Sequence, residues 1–337
     1  MKISILTHPL GANYGGILQA FALTKYLQSQ GHEILVLNRQ ADMPYIKRMV
    51  KTIMMALHHP RYRNPRYQHL IRFVKQHIPY TKPLYTKKQM TDFVRRAQIQ
   101  TSIVGSDQVW RPDFSMNYGY DYFLDFAPEG VKKVSYAASF GLKKWGYTNE
   151  QTCKIQQLVQ GFNDLSVRED EGVTLCQKYL GVKAEHVLDP TMLLRAEDYA
   201  PVTTPRIISE NYVFVYWLGS DEEKQKALAN EREEGKRIVD ISLRGSEPLM
   251  SIEDWLSYIK YADRVVTDSF HGCVFSILFQ KQFNVCANDS GGNGRLKSLF
   301  SMLGINPVAG IIDYSTIAPL LDNYRTLSYH FIKKSLQ

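Results

Sequence analysis

Short apolar runs that end in polar or glycine-rich turns, each followed by a stretch with helical periodicity, recur along nearly the whole chain. No other feature limits the fold as strongly. Residues 2–7, 33–38, 100–104, 133–138, 165–167 and 186–188 read as strands. Between them, residues 15–30 carry Ile17, Leu18, Phe21, Ala22, Leu23, Tyr26 and Leu27 on one stripe and stop at Gly31, and further helices are expected at 151–160 and 169–180. Strands that alternate with helices pair in parallel, because the crossover that returns the chain to the same edge is long enough to hold a helix. Pro201, Thr203, Thr204 and Pro205 read as a linker, after which the pattern restarts. Strands are then expected at 212–217, 237–241, 264–267 and 283–287, with helices at 221–234, 252–261, 272–280 and 296–303.

The expected fold class is α/β, with two Rossmann-like, doubly wound domains facing across a cleft. The first covers residues 1–200 with a basic helical segment at 47–96, and the second covers 206–315. Residues 316–332 form a periodic helix in a terminal segment, 316–337, that crosses back to the first domain. A length of 337 residues agrees, since single cores stop growing at about 250–300 residues.

Apolar residues make up 44% and charged residues 22% of the chain, a globular composition that excludes intrinsic disorder. No run is long and apolar enough to span a bilayer, and Met1-Lys2-Ile3-Ser4-Ile5-Leu6 has no secretory pattern, so a cytoplasmic protein is expected. Cys153, Cys176, Cys273 and Cys286 have no C-x-x-C spacing, which points to a reducing compartment and to no structural zinc or other metal.

The net charge of +8 is concentrated in one segment. Residues 47–96 hold thirteen lysines and arginines against Asp92 alone, so this segment carries +12 and the rest of the chain −4. Arg61-Tyr62-Arg63, Arg66-Tyr67 and the apolar patch Ile53-Met54-Met55-Ala56-Leu57 suit an anionic membrane surface at the inner face, or a plain solvated basic face. No nucleic-acid motif accompanies them, which argues against a nucleic-acid partner.

Ligands in open α/β sheets bind at the carboxyl ends of strands. The run Val266-Thr267-Asp268-Ser269-Phe270-His271-Gly272-Cys273 puts His271 where a strand turns into a helix, and a helix N-terminus favours anions. The plain alternative is a capped helix with a satisfied, buried histidine. Gly11-Ala12-Asn13-Tyr14-Gly15-Gly16 opens the first helix without the spacing of a dinucleotide fingerprint or a P-loop, so Asn13 and Gly15 are either ligand contacts or parts of a tight turn. Asp107, in Gly105-Ser106-Asp107-Gln108, is a candidate base or an N-cap. Arg168 follows a strand end and is suited to gripping a carboxylate or phosphate, whereas Asp189-Pro190-Thr191 reads as a structural Asx-type turn. Arg295 and Lys297 open a helix, a poor place for cations unless they share an anion.

Taken in order, Asn13-Tyr14-Gly15-Gly16-Ile17-Leu18-Gln19-Ala20, Val104-Gly105-Ser106-Asp107-Gln108-Val109-Trp110, Ser135-Tyr136-Ala137-Ala138-Ser139-Phe140-Gly141, Ser166-Val167-Arg168-Glu169, Leu188-Asp189-Pro190-Thr191 and Thr267-Asp268-Ser269-Phe270-His271-Gly272 resemble the polysaccharide pyruvyl transferase family. The resemblance implies a GT-B-like fold and transfer of pyruvate from phosphoenolpyruvate to a sugar of an exopolysaccharide, capsule or cell-wall glycan as a cyclic ketal. No cofactor is expected beyond the donor substrate, and the implied acceptor is a lipid-linked oligosaccharide. The resemblance gives His271 the part of phosphate ligand or general acid and Arg168 that of carboxylate or phosphate ligand, with Arg295 and Lys297 as further cations. Asp107 and Asn13 fall on the acceptor side. Cell-wall members of the family carry an arginine two positions before the histidine, where this chain has Ser269; Arg295 or Lys297 then compensates, or the donor differs. A nucleotide-sugar glycosyltransferase and a non-catalytic glycan-binding protein share the expected architecture and remain the alternatives.

Overall fold

A computed structural model describes the chain except for Ala12 and residues 57–64, 230–234, 242–247, 286–292 and 307–310. Part of the basic segment, including Arg61-Tyr62-Arg63, therefore lies outside the described residues, as do Cys286, Gly291 and Gly292.

Two all-parallel sheets carry the fold. In the first, β1 (Lys2–Leu6), β2 (Glu33–Val36), β3 (Thr101–Val104), β4 (Lys132–Ala138), β5 (Asp164–Val167) and β6 (Glu185–His186) lie in the order β2-β1-β3-β4-β5-β6. In the second, β7 (Val213–Tyr216), β8 (Ile238–Asp240), β9 (Arg264–Thr267) and β10 (Gln282–Val285) lie in the order β10-β9-β7-β8. Strand order reverses between β1 and β3 in one sheet and between β7 and β9 in the other. Loops leave in opposite directions at such a point and open a crevice at the carboxyl ends.

Helix α1 (Tyr14–Ser29) is capped by Asn13, whose side chain accepts from the Gly16 N–H, and the chain leaves it through Gly31 at φ +81°. Ile17, Leu18, Phe21, Leu23 and Leu27 are buried as the periodicity predicts, while Tyr26 stays partly exposed. The basic segment folds as α2 (Tyr45–Ala56), α3 (Gln68–His77) and α4 (Lys87–Arg96). Further along are α5 (Asn149–Val159), α6 (Asp170–Leu175), α7 (Asp221–Ala227), α8 (Ile252–Tyr261), α9 (Phe270–Leu278), α10 (Asn293–Leu303) and α11 (Tyr314–Leu336). Helix α9 begins two residues earlier than its periodicity predicts, because Ser269 is its N-cap; His271 therefore sits inside the first turn.

One hydrophobic core runs through both sheets' helices. An aromatic chain marks it: Phe21 meets Tyr199, Tyr199 meets Phe275 with centroids 5.0 Å apart, Phe275 meets Trp255, and Trp255 stacks on Tyr14 at 5.4 Å. The Tyr14 hydroxyl also donates to the Met250 carbonyl at 2.8 Å, tying the start of α1 to the second sheet's layer. Helix α11 closes over the first sheet. Leu188 N–H donates to Ser328 Oγ, and Arg325 Nε to the Met192 carbonyl.

Candidate functional site

The loop after β9 is held by its own polar groups. Thr267 Oγ1 donates to the Tyr216 carbonyl at 2.6 Å, locking β9 to β7. Asp268 accepts from the Leu218 and Gly219 N–H groups at 2.8 and 2.7 Å, so it braces the turn after β7 rather than pairing with the neighbouring His271. Burial raises its pKa. With Ser269 capping, the His271 ring projects out of the α9 terminus into the cleft, only 7% exposed. It lies against α1: a Cβ at Gly15 would come within 1.9 Å of His271 Nδ1. Gly15, expected as a ligand contact, thus makes room for the imidazole.

On the facing side, Gly105 (φ +119°) and Asp107 (φ +72°) turn the chain sharply after β3. A side chain at Gly105 would strike the Tyr136 carbonyl at 2.1 Å. Ser106 N–H donates to Gln19 Oε1 at 3.0 Å, and Ser106 Oγ to the Ala137 carbonyl at 2.8 Å. Asp107 caps no helix, since the next one, Pro112–Ser115, has Arg111 as its N-cap; its Oδ1 accepts from Gln108 N–H and lies 3.6 Å from Arg168 Nη2.

Arg168 is the hub. Its Nη1 donates to Asp189 Oδ2 at 2.8 Å, Nε lies 3.9 Å from Glu169 Oε2, and the guanidinium carbon sits 4.5 Å above the centre of the Phe270 ring. Three carboxylates hem this cation in, and Nη1 is already taken by one of them. Asp189 is also more than a turn former. Its Oδ1 accepts from Thr191 N and Oγ1 as an Asx-type turn requires, while Oδ2 takes Arg168 and Ser106 Oγ and lies 3.7 Å from His271 Nε2. That last distance is too long for a hydrogen bond and short enough for ion pairing when the ring is protonated.

The charges tune each other. Burial opposes ionisation of Asp189, but His271 and Arg168 overcome it and hold the carboxyl well below the usual range. Burial likewise opposes Asp107, and Arg168, His8, His271 and Arg295 keep its pKa low. Arg168, despite burial, is held fully charged by Asp189, Asp107 and Glu169. Arg295 is pushed the other way, first by burial and then by like charge from Arg168. It reaches this neighbourhood because α10 docks on the first domain: Ser298 Oγ, one turn on, accepts from Asp170 N–H at 3.1 Å and contacts His186. Lys297 does not converge with them. It is exposed, so the expected trio of Arg168, Arg295 and Lys297 reduces to two arginines.

Arg168 Nε and Nη2, Arg295 Nε and His271 Nε2 are all buried without a hydrogen-bond partner. Buried polar atoms are normally satisfied; these orphaned nitrogens stand beside Asp107, Asp189 and Glu169, whose Oε2 is also without a partner, and together they make the cluster a candidate place for a ligand with several acceptor oxygens. Beside it, at the crevice between β1 and β3, lies a cavity of about 340 Å³ lined by His8, Asn13, Asp107, Gln108, Phe114, Asn117 and Tyr118 among others. His8 was not anticipated from the sequence. It lies two residues past the end of β1, packs edge-on to Phe114 and Tyr122, and has its Nε2 buried without a partner. Its position just past a strand's carboxyl end was the available signal.

The polysaccharide pyruvyl transferase family model matches residues 13–290. No protein of curated function matches the sequence. Among solved structures, a Listeria monocytogenes protein assigned as a UDP-N-acetylglucosamine 2-epimerase superposes with TM-score 0.55 at 10% identity, covering 97% of this chain and 90% of that one. A UDP-GlcNAc 2-epimerase from Neisseria meningitidis bound to UDP-GlcNAc gives TM-score 0.52 at 10% identity, covering 99% and 100%. A glycosyltransferase from Rickettsia africae gives 0.50 at 8% identity, covering 99% and 96%. At such identities the likeness concerns the fold, which is the GT-B-like arrangement of two Rossmann-like halves.

Proposed function

The chain belongs to the polysaccharide pyruvyl transferase family, and from that premise we propose that it transfers the pyruvyl group of phosphoenolpyruvate to a sugar of a lipid-linked oligosaccharide, releasing phosphate and leaving a cyclic ketal. The observation that carries this reading is the set of unpartnered buried donors on Arg168, Arg295 and His271. Phosphoenolpyruvate presents a phosphate and a carboxylate on a three-carbon frame, and two guanidiniums with an imidazole match that pair of anions.

Ketal formation requires a proton delivered to the methylene carbon, attack of one sugar hydroxyl on the adjacent carbon, loss of phosphate and attack of the second hydroxyl at the same carbon. Both hydroxyl protons must leave. In this reading His271, set between the donor anions and Asp189, supplies the first proton or holds the phosphate. Arg168 and Arg295 neutralise the donor; Arg295 takes over the part that an arginine at position 269 plays in cell-wall members. Ser269 keeps the helix cap instead. Asp107 is kept ionised by its neighbours and is the base for an acceptor hydroxyl, with Asn13 and the other amides of the adjacent cavity holding the sugar and Phe114 and Tyr118 offering ring faces.

Incubation with phosphoenolpyruvate and a panel of lipid-linked oligosaccharides, read by mass spectrometry, is expected to give a pyruvate ketal and one equivalent of inorganic phosphate. Thermal stabilisation by a nucleotide sugar but not by phosphoenolpyruvate would assign the site to glycosyl transfer instead. Saccharide binding with no turnover of either donor would make the protein a glycan-binding member of the family.

A further inference from the structure

We infer that α2 is a membrane-contact element that seats the protein on anionic lipid. Four large apolar side chains on this helix face solvent: Ile46 is 71% exposed, Met49 47%, Val50 39% and Ile53 50%. Their spacing of three, one and three residues puts all four on one stripe. The opposite face holds the helix to the body, with the Arg48 guanidinium 5.2 Å above the Tyr85 ring centre. Of the expected wedge at 53–57, Ile53 belongs to this stripe and Met54 is half-buried, while the side chains of Met55 and Ala56 and the whole of Leu57 lie outside the described residues.

An apolar stripe of this size, unburied on a basic helix, is the form of an element that lies in the headgroup plane. Exposed Lys47 borders the stripe, and α2 itself holds Lys47, Arg48 and Lys51 with no acid. That charge selects among occupants. A second copy of the chain meeting this face by a two-fold axis would oppose the same cations across the contact. Anionic headgroups neutralise them while the acyl region takes up Ile46, Met49, Val50 and Ile53. No helix among the described residues is long and apolar enough to cross a membrane, so the contact is peripheral. The inference stands on α2 alone and does not depend on which donor the cleft takes.

Flotation of the full chain with vesicles of phosphatidylcholine, alone or mixed with phosphatidylglycerol, tests it. Binding to the anionic vesicles is expected to exceed that to neutral ones by about tenfold or more and to fall as salt is raised. The triple variant Ile46→Ser/Met49→Ser/Ile53→Ser is expected to stay in solution with an unchanged melting temperature and unchanged turnover of a soluble acceptor. Ile46→Trp gives an independent reading: quenching of the added indole by lipids brominated in the acyl chains is expected only with anionic vesicles. Equal binding to both vesicle types, no binding at low salt, or a concentration-dependent dimer that the triple variant abolishes would overturn the inference.

Discussion

The His271 imidazole occupies the space that a side chain at position 15 would need, since a Cβ on Gly15 would stand 1.9 Å from Nδ1. The start of α1 and the start of α9 come from different domains, and this contact joins them at the proposed reaction centre. Gly15→Ala is therefore expected to displace the ring. A shift of about 1 Å at a reacting group costs on the order of a hundredfold in rate, and a loss of that size in kcat/KM is expected. In a His271→Ala background the same change should cost nothing further, because the group it displaces is gone. Additive losses would show that Gly15 acts on something else.

His271→Ala should lower turnover by about two to four orders of magnitude, the usual span for a proton-transfer group, with the melting temperature changed by no more than a few degrees. The ring packs against a glycine and faces charged groups, so little apolar contact is lost. A variant that turns over normally but melts much earlier would make His271 a core histidine, the reading in which it merely fills space.

Asp189 binds Arg168 in a fully buried pair; removing one partner of such a pair costs about 3–5 kcal/mol when the other charge is stranded, an upper bound here because Asp107 and Glu169 still face Arg168. Asp189→Ala is expected to destabilise the fold by up to that amount in chemical denaturation. The pH dependence has a defined sign. A carboxylate whose pKa is depressed by folding stabilises the protein at all pH values above its unfolded pKa, near 4, and loses that contribution as pH falls further toward the folded value. The wild type should thus lose stability steeply below about pH 4, and Asp189→Asn should flatten that limb. Parallel acid limbs in the two proteins would contradict the assignment.

Glu171 behaves oppositely. Burial and the adjacent Asp170 push its pKa up to about 7, so folding disfavours its charged form. Stability is then lost as pH rises from about 4.5, where the unfolded chain ionises, to about 7, where the folded one does. Glu171→Gln lacks this penalty and should gain melting temperature over the wild type between pH 5 and pH 8. A difference between the two proteins that stays constant across that range would refute the shift.

The fold was legible because its determinants are local. Apolar runs of four to seven residues, helical stripes such as Ile17 to Leu27, and punctuation such as Gly31 follow from neighbours along the chain. The site was legible only as a set of strand ends. His271, Arg168 and Asp107 were named from that rule and Arg295 from its place at a helix start, yet their relations were not readable. Nothing near Arg168 in sequence announces that Asp189 will take its Nη1, since the partner is 21 residues away on another strand's exit. Gly15 read as a ligand contact or part of a tight turn, because its requirement is imposed by a ring from the other domain. Asp268, three residues before His271, is taken by the backbone of the β7 turn, a partnership nothing along the chain announces. Lys297 was grouped with Arg295 by spacing, but residues two apart on a helix point to different sides.

That separation gives a sharp test of how the donor is held. Arg295 is half-buried beside Arg168 with its Nε buried and unpartnered, and Lys297 is exposed. If Arg295 grips an anion of the donor, its loss removes a charge-assisted hydrogen bond worth about 1.5–3 kcal/mol, which corresponds to roughly a 10- to 150-fold weakening. Arg295→Ala is accordingly expected to raise the Kd for phosphoenolpyruvate, measured by titration calorimetry, within that range. Lys297→Ala should change it less than about twofold, as suits a solvated cation. Arg295→Lys should recover only part of the affinity, because an ammonium restores charge but not the planar pair of donors. The reverse ranking, with Lys297→Ala the more damaging, would mean that the anion sits at the cleft mouth and that Arg295 only supports α10. Equal and small effects from both would leave Arg168 and His271 as the anion's holders and remove the account of how this chain manages with Ser269.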